Sequence, residues 1–302
     1  MRIKTTLLGT LITTSLAAAG LGLSPSASAS CLSFSGINIG SGCTSSLFGL
    51  AAGLGSGATA NAGAFSSAFS IGKGAEANSA GTLGLAVAAG PDAWAKIEGG
   101  VLNAAFAAGT AGGVDFAEAQ AGASKTDFAN LAVSLGDSSF AYAGGWDPQT
   151  TGAGNVAVNL GKGNNVQAFG FLNGALGVGG TKPFENNIVA ASGILNSASS
   201  FGGDLNTLNA GTSQSAFANS VFNAFGSNNT VTAGTGPATL AGTLFTSGAT
   251  VTKSTFGVNI NGIKVPNTAA STKPARAAAS RRGASASPAP AAATAHTRGD
   301  RS

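Results

Sequence analysis

The sequence predicts an all-β fold: a β-solenoid (parallel β-roll or β-helix) built of degenerate Gly/Ala-rich repeats, with disordered ends. Three observations predict it. The first is a recurring stretch, AVNLGKGNNVQAFG at Ala157–Gly170, with imperfect copies at Ala68–Ala77, Ala86–Ala95, Ala132–Gly144 and Ala224–Ala233. Each reads apolar-x-apolar-Gly, a few turn residues, then apolar-x-Ala, and alternation at period two gives strands with one buried face. Strands this short cannot bury a face alone, so successive units have to stack. The second observation is the presence of 47 glycines. Gly held in regular structure costs roughly 0.5–1 kcal/mol relative to Ala, so this many are tolerable only at corners and close approaches, which a solenoid supplies in every coil. The third is charge: 9% of the residues are charged, against about 25% in typical soluble domains. That excludes a solvated, disordered chain over most of the length.

The order of segments follows from composition. Arg2 and Lys4 precede an apolar run, Thr5–Leu23, and Ala27-Ser28-Ala29 matches a small-residue cleavage site; residues 1–29 therefore read as an export signal. The aliphatic residue of a lipid-attachment motif is missing before Cys31. Residues 30–64 read as an N-terminal cap containing Cys31 and Cys43, the only two cysteines. In an oxidising compartment they pair, and closing so short a loop contributes about 3 kcal/mol on the chain-entropy estimate.

Residues 65–266 read as the solenoid body. Gly72, Gly90, Gly136, Gly161 and Gly226 are expected at positive φ, and Asn164, Asn165, Asn228 and Asn229 tolerate the same region. Their unequal spacing predicts no constant coil length. Around Asp92–Phe106 the spacing of Trp94, Ile97, Val101, Leu102 and Phe106 also approximates a helix, but Gly99-Gly100 would cost such a helix about 2 kcal/mol, which favours strand–turn–strand. Trp146-Asp147-Pro148 reads as a loop. Between Thr181 and Asn219 the pattern blurs. It returns at Ala224, and Thr230–Thr232, Thr250–Thr252 and Ser254–Val265 are β-branched runs that read as strands. Residues 267–302, rich in Ala, Ser, Pro and Arg, cannot bury a core and are expected to be disordered.

Net charge separates the same way. Residues 31–266 sum to −3, while residues 267–302 hold Lys273, Arg276, Arg281, Arg282, Arg298 and Arg301 against Asp300, giving +5. This basic tail is a candidate tether to anionic envelope polymers or lipid head groups; an exported protein meets little nucleic acid, so none is expected as a partner.

Catalytic motifs are sparse. The lone His296 lies in the tail, which removes His-based acid–base chemistry and Ser-His-Asp arrangements from the body. No Gly-x-Ser-x-Gly elbow or phosphate-binding P-loop is present, and Gly53-Leu54-Gly55-Ser56-Gly57-Ala58 matches the dinucleotide pattern only as a Gly-rich chain does by chance. The ten acids of the body are scattered and read as solvated surface. No metal, cofactor or catalytic residue is predicted, and a polysaccharide-active enzyme would need two acids to meet in a groove.

The pattern of AVNLGKGNNVQAFG and its copies resembles the head repeats of YadA-like trimeric autotransporter adhesins, over Ala68–Gly170. That resemblance implies a left-handed parallel β-roll. No coiled-coil stalk or C-terminal anchor barrel is legible, so trimerisation and collagen binding are not carried over. In layout (export signal, Gly/Ala/Asn-rich body with VTAGTGPATLAG and STFGVNING, basic Ala/Pro tail) the chain is similar to exported proteins of mycobacteria and related actinobacteria, a likeness that implies no activity. The expected function is therefore a secreted or cell-envelope structural or adhesive protein without catalysis, whose partners are envelope polymers, anionic lipid or host matrix. The alternative is a glycan- or surface-binding module in which Thr230, Thr232, Thr250 and Thr252 line one flat β face.

Overall fold

The computed structural model describes residues 30–109, 116–145, 151–180 and 187–265. The expected export signal, the Trp146-Asp147-Pro148 loop and all six cations of the expected tether lie outside the described residues. Within them there is no helix, and twenty-five short strands wind into a β-solenoid of about ten turns. The chain alternates between two sheets. Eleven parallel strands, from Leu50–Leu54 to Gly257–Ile260, form the core of the first, and eleven, from Cys43–Ser45 to Thr250–Lys253, make up the second.

The ends of the first sheet are closed by a change of direction. Ser30–Phe34 pairs antiparallel with both Ile37–Ile39 and Leu50–Leu54, and the Cys31–Cys43 disulfide, with Cα atoms 5.4 Å apart, ties this end strand to the first strand of the second sheet. At the other end Gly257–Ile260 turns back on Ile263–Val265. Asn261 and Gly262 make that turn with φ of 49° and 86°, the combination a two-residue hairpin requires. Antiparallel end strands occupy the edges that the parallel stack of the first sheet would otherwise offer to other chains, whereas the second sheet ends on Cys43–Ser45 and Thr250–Lys253. The expected boundary between cap and body moves earlier: Cys43–Ser45 and Thr59–Ala62 already stack in parallel, so only residues 30–39 act as the N-terminal cap. The ambiguous stretch after Asp92 is strand–turn–strand, Trp94–Ile97 and Ala104–Ala108. The blurred stretch before Ala224 continues the stack through Asn187–Ile194, Ser197–Phe201 and Thr207–Ala210.

Period-two alternation explains the interior. In Leu131–Leu135, Ala132 and Ser134 point inward while Leu131, Val133 and Leu135 point outward. Ala51, Ala68, Ala86, Ala105, Ala132 and Ala157 stack in one lumen column. The facing column of the second sheet runs Ala60, Ala77, Ala95, Ala119 and Ala141, then enlarges to Val166, Val189 and Leu208. All of these are fully or nearly fully buried. In the coils before Val166 one methyl per position in these two columns is fully or nearly fully buried.

Two asparagine ladders hold the corners. Asn103, Asn130, Asn155, Asn173, Asn196 and Asn219 occupy equivalent corners, separated by 27, 25, 18, 23 and 23 residues. In each case the backbone N–H of one donates to the Oδ1 of the preceding one, at 2.7–3.1 Å. Thr239 closes the row on Asn219. A second ladder runs Asn164, Asn187, Asn206 and Asn229, with Asn206 and Asn229 donating to the preceding Oδ1 at 2.9 and 3.1 Å. Buried corner backbone has no strand partner on one side, and the amide side chain supplies it. The uneven separations show why no constant period is legible: corner loops vary in length while ladder and strand positions stay aligned.

The corners also revise the expected use of glycine. Gly72, Gly90, Gly136 and Gly161 do have positive φ, and a Cβ on Gly72 would stand 2.5 Å from the carbonyl oxygen of Gly90 in the next coil. Gly226 does not take positive φ; Phe225 and Asn228 flank it there instead. Asn164, Asn165 and Asn229 are likewise not left-handed: Asn164 and Asn229 are buried ladder residues, and Asn165 faces outward. The other corner places large residues at φ of 54–60°: Phe48, Phe65, Leu83, Leu102, Leu172 and Leu195. Such backbone costs of order 1–3 kcal/mol per residue. It persists because the ladder and the flanking strand pairs fix the chain on both sides; in the last four cases the next residue is Gly84 or a ladder Asn.

Candidate functional site

The outward positions of the second sheet form a polar and aromatic face in two columns. Four residues after each corner glycine the strand presents its first outward side chain: Gly72 leads to Glu76, Gly90 to Trp94, Gly136 to Phe140, Gly161 to Asn165 and Gly226 to Thr230. Parallel register aligns Glu76, Trp94, Glu118, Phe140 and Asn165 in one column. Asn78, Lys96, Gln120, Tyr142 and Gln167 form the column beside it.

At the middle of this face aromatic rings make a chain across three coils. Trp94 and Phe116 have ring centroids 5.3 Å apart, Phe116 and Phe140 5.5 Å apart at a near-perpendicular angle, and Phe140 and Tyr142 6.3 Å apart. Edge and offset contacts of this kind each contribute about 0.5–1.5 kcal/mol. Trp94 remains 45% exposed, so it offers an apolar plane to solvent among hydrogen-bonding neighbours.

Beside the rings, Glu98, Glu118, Gln120, Tyr142 and Gly145 line a shallow cavity of about 220 Å³. Lys96 is ion-paired with Glu98, and the Tyr142 hydroxyl is hydrogen-bonded to Glu118. Burial pushes the Glu118 carboxyl above its ordinary range and Glu98 adds to this, while the Tyr142 hydrogen bond and Lys96 oppose it. Burial and then Glu118 push the Tyr142 hydroxyl well above its ordinary value. A carboxyl with a raised folded pKa holds its proton more tightly in the folded state. The resulting stability is present below the ordinary value of 4.5 and is lost as pH rises through the folded pKa. Glu118→Gln is expected to remove that loss, so urea midpoints of variant and wild type should diverge as pH rises from about 4 to about 7, with the variant the more stable. Parallel profiles would contradict this.

The acids are therefore not a uniformly solvated set. Asp127 is buried at a corner, where its carboxylate accepts backbone N–H groups of Ser124 and Gly152 at 2.9 and 2.6 Å. Asp137 is paired with Lys162 at 3.0 Å, which uses the cation of the Gly161-Lys162-Gly163 turn. Glu98 and Glu118 share one cavity. Asp115, Asp147 and Glu185 lie outside the described residues. The Gly53–Ala58 stretch leaves a strand and enters the turn before Thr59–Ala62, with no helix at which a pyrophosphate could dock.

The four threonines expected on one face are brought together. Thr230 is directly opposite Thr250 and Thr232 opposite Thr252, and Thr207 extends the first column. They continue the aromatic face along the same sheet. Cys31 lies in the N-terminal cap and Cys43 in the first strand of the second sheet, at the opposite end of that sheet from the threonines. A larger cavity of about 660 Å³ is lined by Thr151, Phe169, Phe171, Ser192 and Ile194 among others, and no titratable side chain is found among its described lining residues. Among the described residues no group of three or more His, Cys, Asp or Glu side chains is placed to hold a metal ion, and no helix is long and apolar enough to cross a membrane. Comparison with protein-family models, curated proteins and solved structures gives no match to this chain.

Proposed function

We propose that the chain is an exported, cell-surface structural and adhesive element without catalytic activity, and that the outer face of the second sheet is its contact surface. The observation that carries the reading is the two-column face itself. Its side chains are held in register by backbone ladders, so little ordering entropy is lost when an extended polymer lies along it. A half-exposed Trp94, with Glu76 and Glu118 on either side of it in the column and Lys96 and Gln120 in the column beside, suits a polymer with apolar ring faces and hydroxyl edges, such as an envelope or matrix glycan.

The disulfide is consistent with an extracellular or envelope location. Residues 1–29, read as an export signal, and the basic residues 267–302, read as a tether to anionic polymer or lipid, complete the proposal. The full chain, applied to insoluble envelope polysaccharides and matrix polymers, should be retained. Trp94→Ala should weaken retention about 10-fold or more, the size expected of a stacked aromatic anchor. Failure of the wild type to bind any of these polymers, or recovery of the protein only from the cytosol, would end this reading.

The threonine columns favour a second reading, a regular or crystalline glycan surface bound by Thr230, Thr232, Thr250 and Thr252. Binding that survives replacement of all four by Val, while Trp94→Ala abolishes it, would exclude this in favour of the aromatic patch.

A further inference from the structure

The outer face of the first sheet has the opposite chemistry. Its eleven parallel strands contain no Asp, Glu, Lys or Arg, although the parallel strands of the second sheet carry Glu76, Lys96, Glu118 and Lys253. Outward positions here are Leu, Val, Ile, Phe and Ala with few exceptions, most of them Ser or Gly. Along one column Leu54, Ile71, Leu135, Leu160, Phe201 and Leu244 each remain 39–51% exposed, and every residue between them in that column is Ala or Val.

From these observations we infer that this face is an interface between two copies of the chain, packed sheet on sheet about a two-fold axis. Its size fits. At about 4.8 Å between strands and 3.3 Å per residue, eleven strands of four to six residues span roughly 50 by 17 Å, about 800 Å² per copy. That is the per-partner area of a standard stable interface, about 1,600 Å² in total. An exposed apolar patch of such extent exceeds what single chains ordinarily leave to water.

Charge separates the possible occupants. A lipid surface would be met by a cationic rim around the apolar face; the turns that follow these strands instead carry both signs, Lys73 and Lys162 with Asp92, Asp137 and Asp204, and Lys162 is paired with Asp137. Nor is the chain's own C-terminal segment a suitable cover, since residues 267–302 contain no Leu, Ile, Val, Phe, Met, Trp or Tyr. A second uncharged, in-register sheet is complementary. Two such faces pack about 10 Å apart with strands near −30°, and a self-complementary patch closes as a two-fold pair without leaving a free copy of itself. Each polar face then points outward, so the pair would be bivalent toward a polymer. The pair can form whether or not a glycan binds, so the two proposals stand or fall separately.

Light scattering on the purified full chain across micromolar concentrations tests it, in buffer and with phosphatidylcholine vesicles. Expected is the mass of two copies without lipid. Leu135→Glu with Leu160→Glu should give single copies, raising the dissociation constant by about 100-fold or more, whereas Gln120→Glu on the polar face should leave the pair intact. Should the double variant fail to fold by circular dichroism, Leu160→Gln, close in size and uncharged, should still weaken pairing about 10-fold. A single-copy wild type, a three-copy assembly, association indifferent to Leu160→Gln, or single copies that float with vesicles would each overturn the proposal.

Discussion

Asn173→Ala is expected to destabilise the solenoid by about 3 kcal/mol, among the largest effects of any single truncation in the chain. Asn173 is buried, and its Oδ1 accepts the Asn196 backbone N–H at 2.8 Å. Its Nδ2 donates to the carbonyls of Phe169 and Gly193 at 2.6 and 2.7 Å. Truncation removes little packing volume but leaves a buried donor without its acceptor and two carbonyls short of a donor. An unmet buried polar group costs about 1–3 kcal/mol, and several at one corner reach the upper end of that range. Asn165→Ala, on the outer face, should change stability by less than about 0.5 kcal/mol. Urea unfolding with unchanged slope measures both, and amide exchange at Asn196 should accelerate only in the ladder variant. Equal effects at 173 and 165 would show that the ladders do not secure the corners.

Ala132→Leu should cost about 3 kcal/mol or abolish cooperative unfolding. Ala132 is fully buried and stacks between Ala105 and Ala157. Inserting methylenes into a packed interior typically costs about 1–3 kcal/mol. Relief is unusually difficult here: the neighbours above and below are the same small residue, and the interstrand hydrogen bonds resist separation of the coils. The adjacent outward position is the control. Val133→Leu should be nearly neutral, within about 0.5 kcal/mol, because its side chain meets no opposing sheet within the chain. Thermal melts of the two variants at low protein concentration decide the matter, and a neutral Ala132→Leu would mean the lumen is wider than one methyl per side.

Much of the fold is legible in the order of the amino acids. The Ala–x–Ala alternation around each corner glycine demands a strand pair with a small-residue inner face, and that is what Ser67–Ile71 and Glu76–Ser79 or Leu131–Leu135 and Ser139–Ala143 form. Less of the candidate site is legible. The threonine columns follow from two similar β-branched runs, whereas the chain of Trp94, Phe116, Phe140 and Tyr142 spans corner loops of different length. The position four residues after a repeat glycine marks Glu76, Trp94, Phe140 and Asn165 in sequence, but Glu118 has Val114 where that glycine would stand. The asparagine ladders are hidden by the same variation, their members being 18 to 27 residues apart.

Sequence alone determined the class of this protein: strands with a one-methyl inner face and too few charges for a solvated chain have to stack on copies of themselves. Which positions became ladder, lumen, apolar face or polar face was decided by tertiary structure. Corner loops can lengthen without cost to the register, and only the hydrogen-bonded stack determines which residue of one coil lies over which residue of the next.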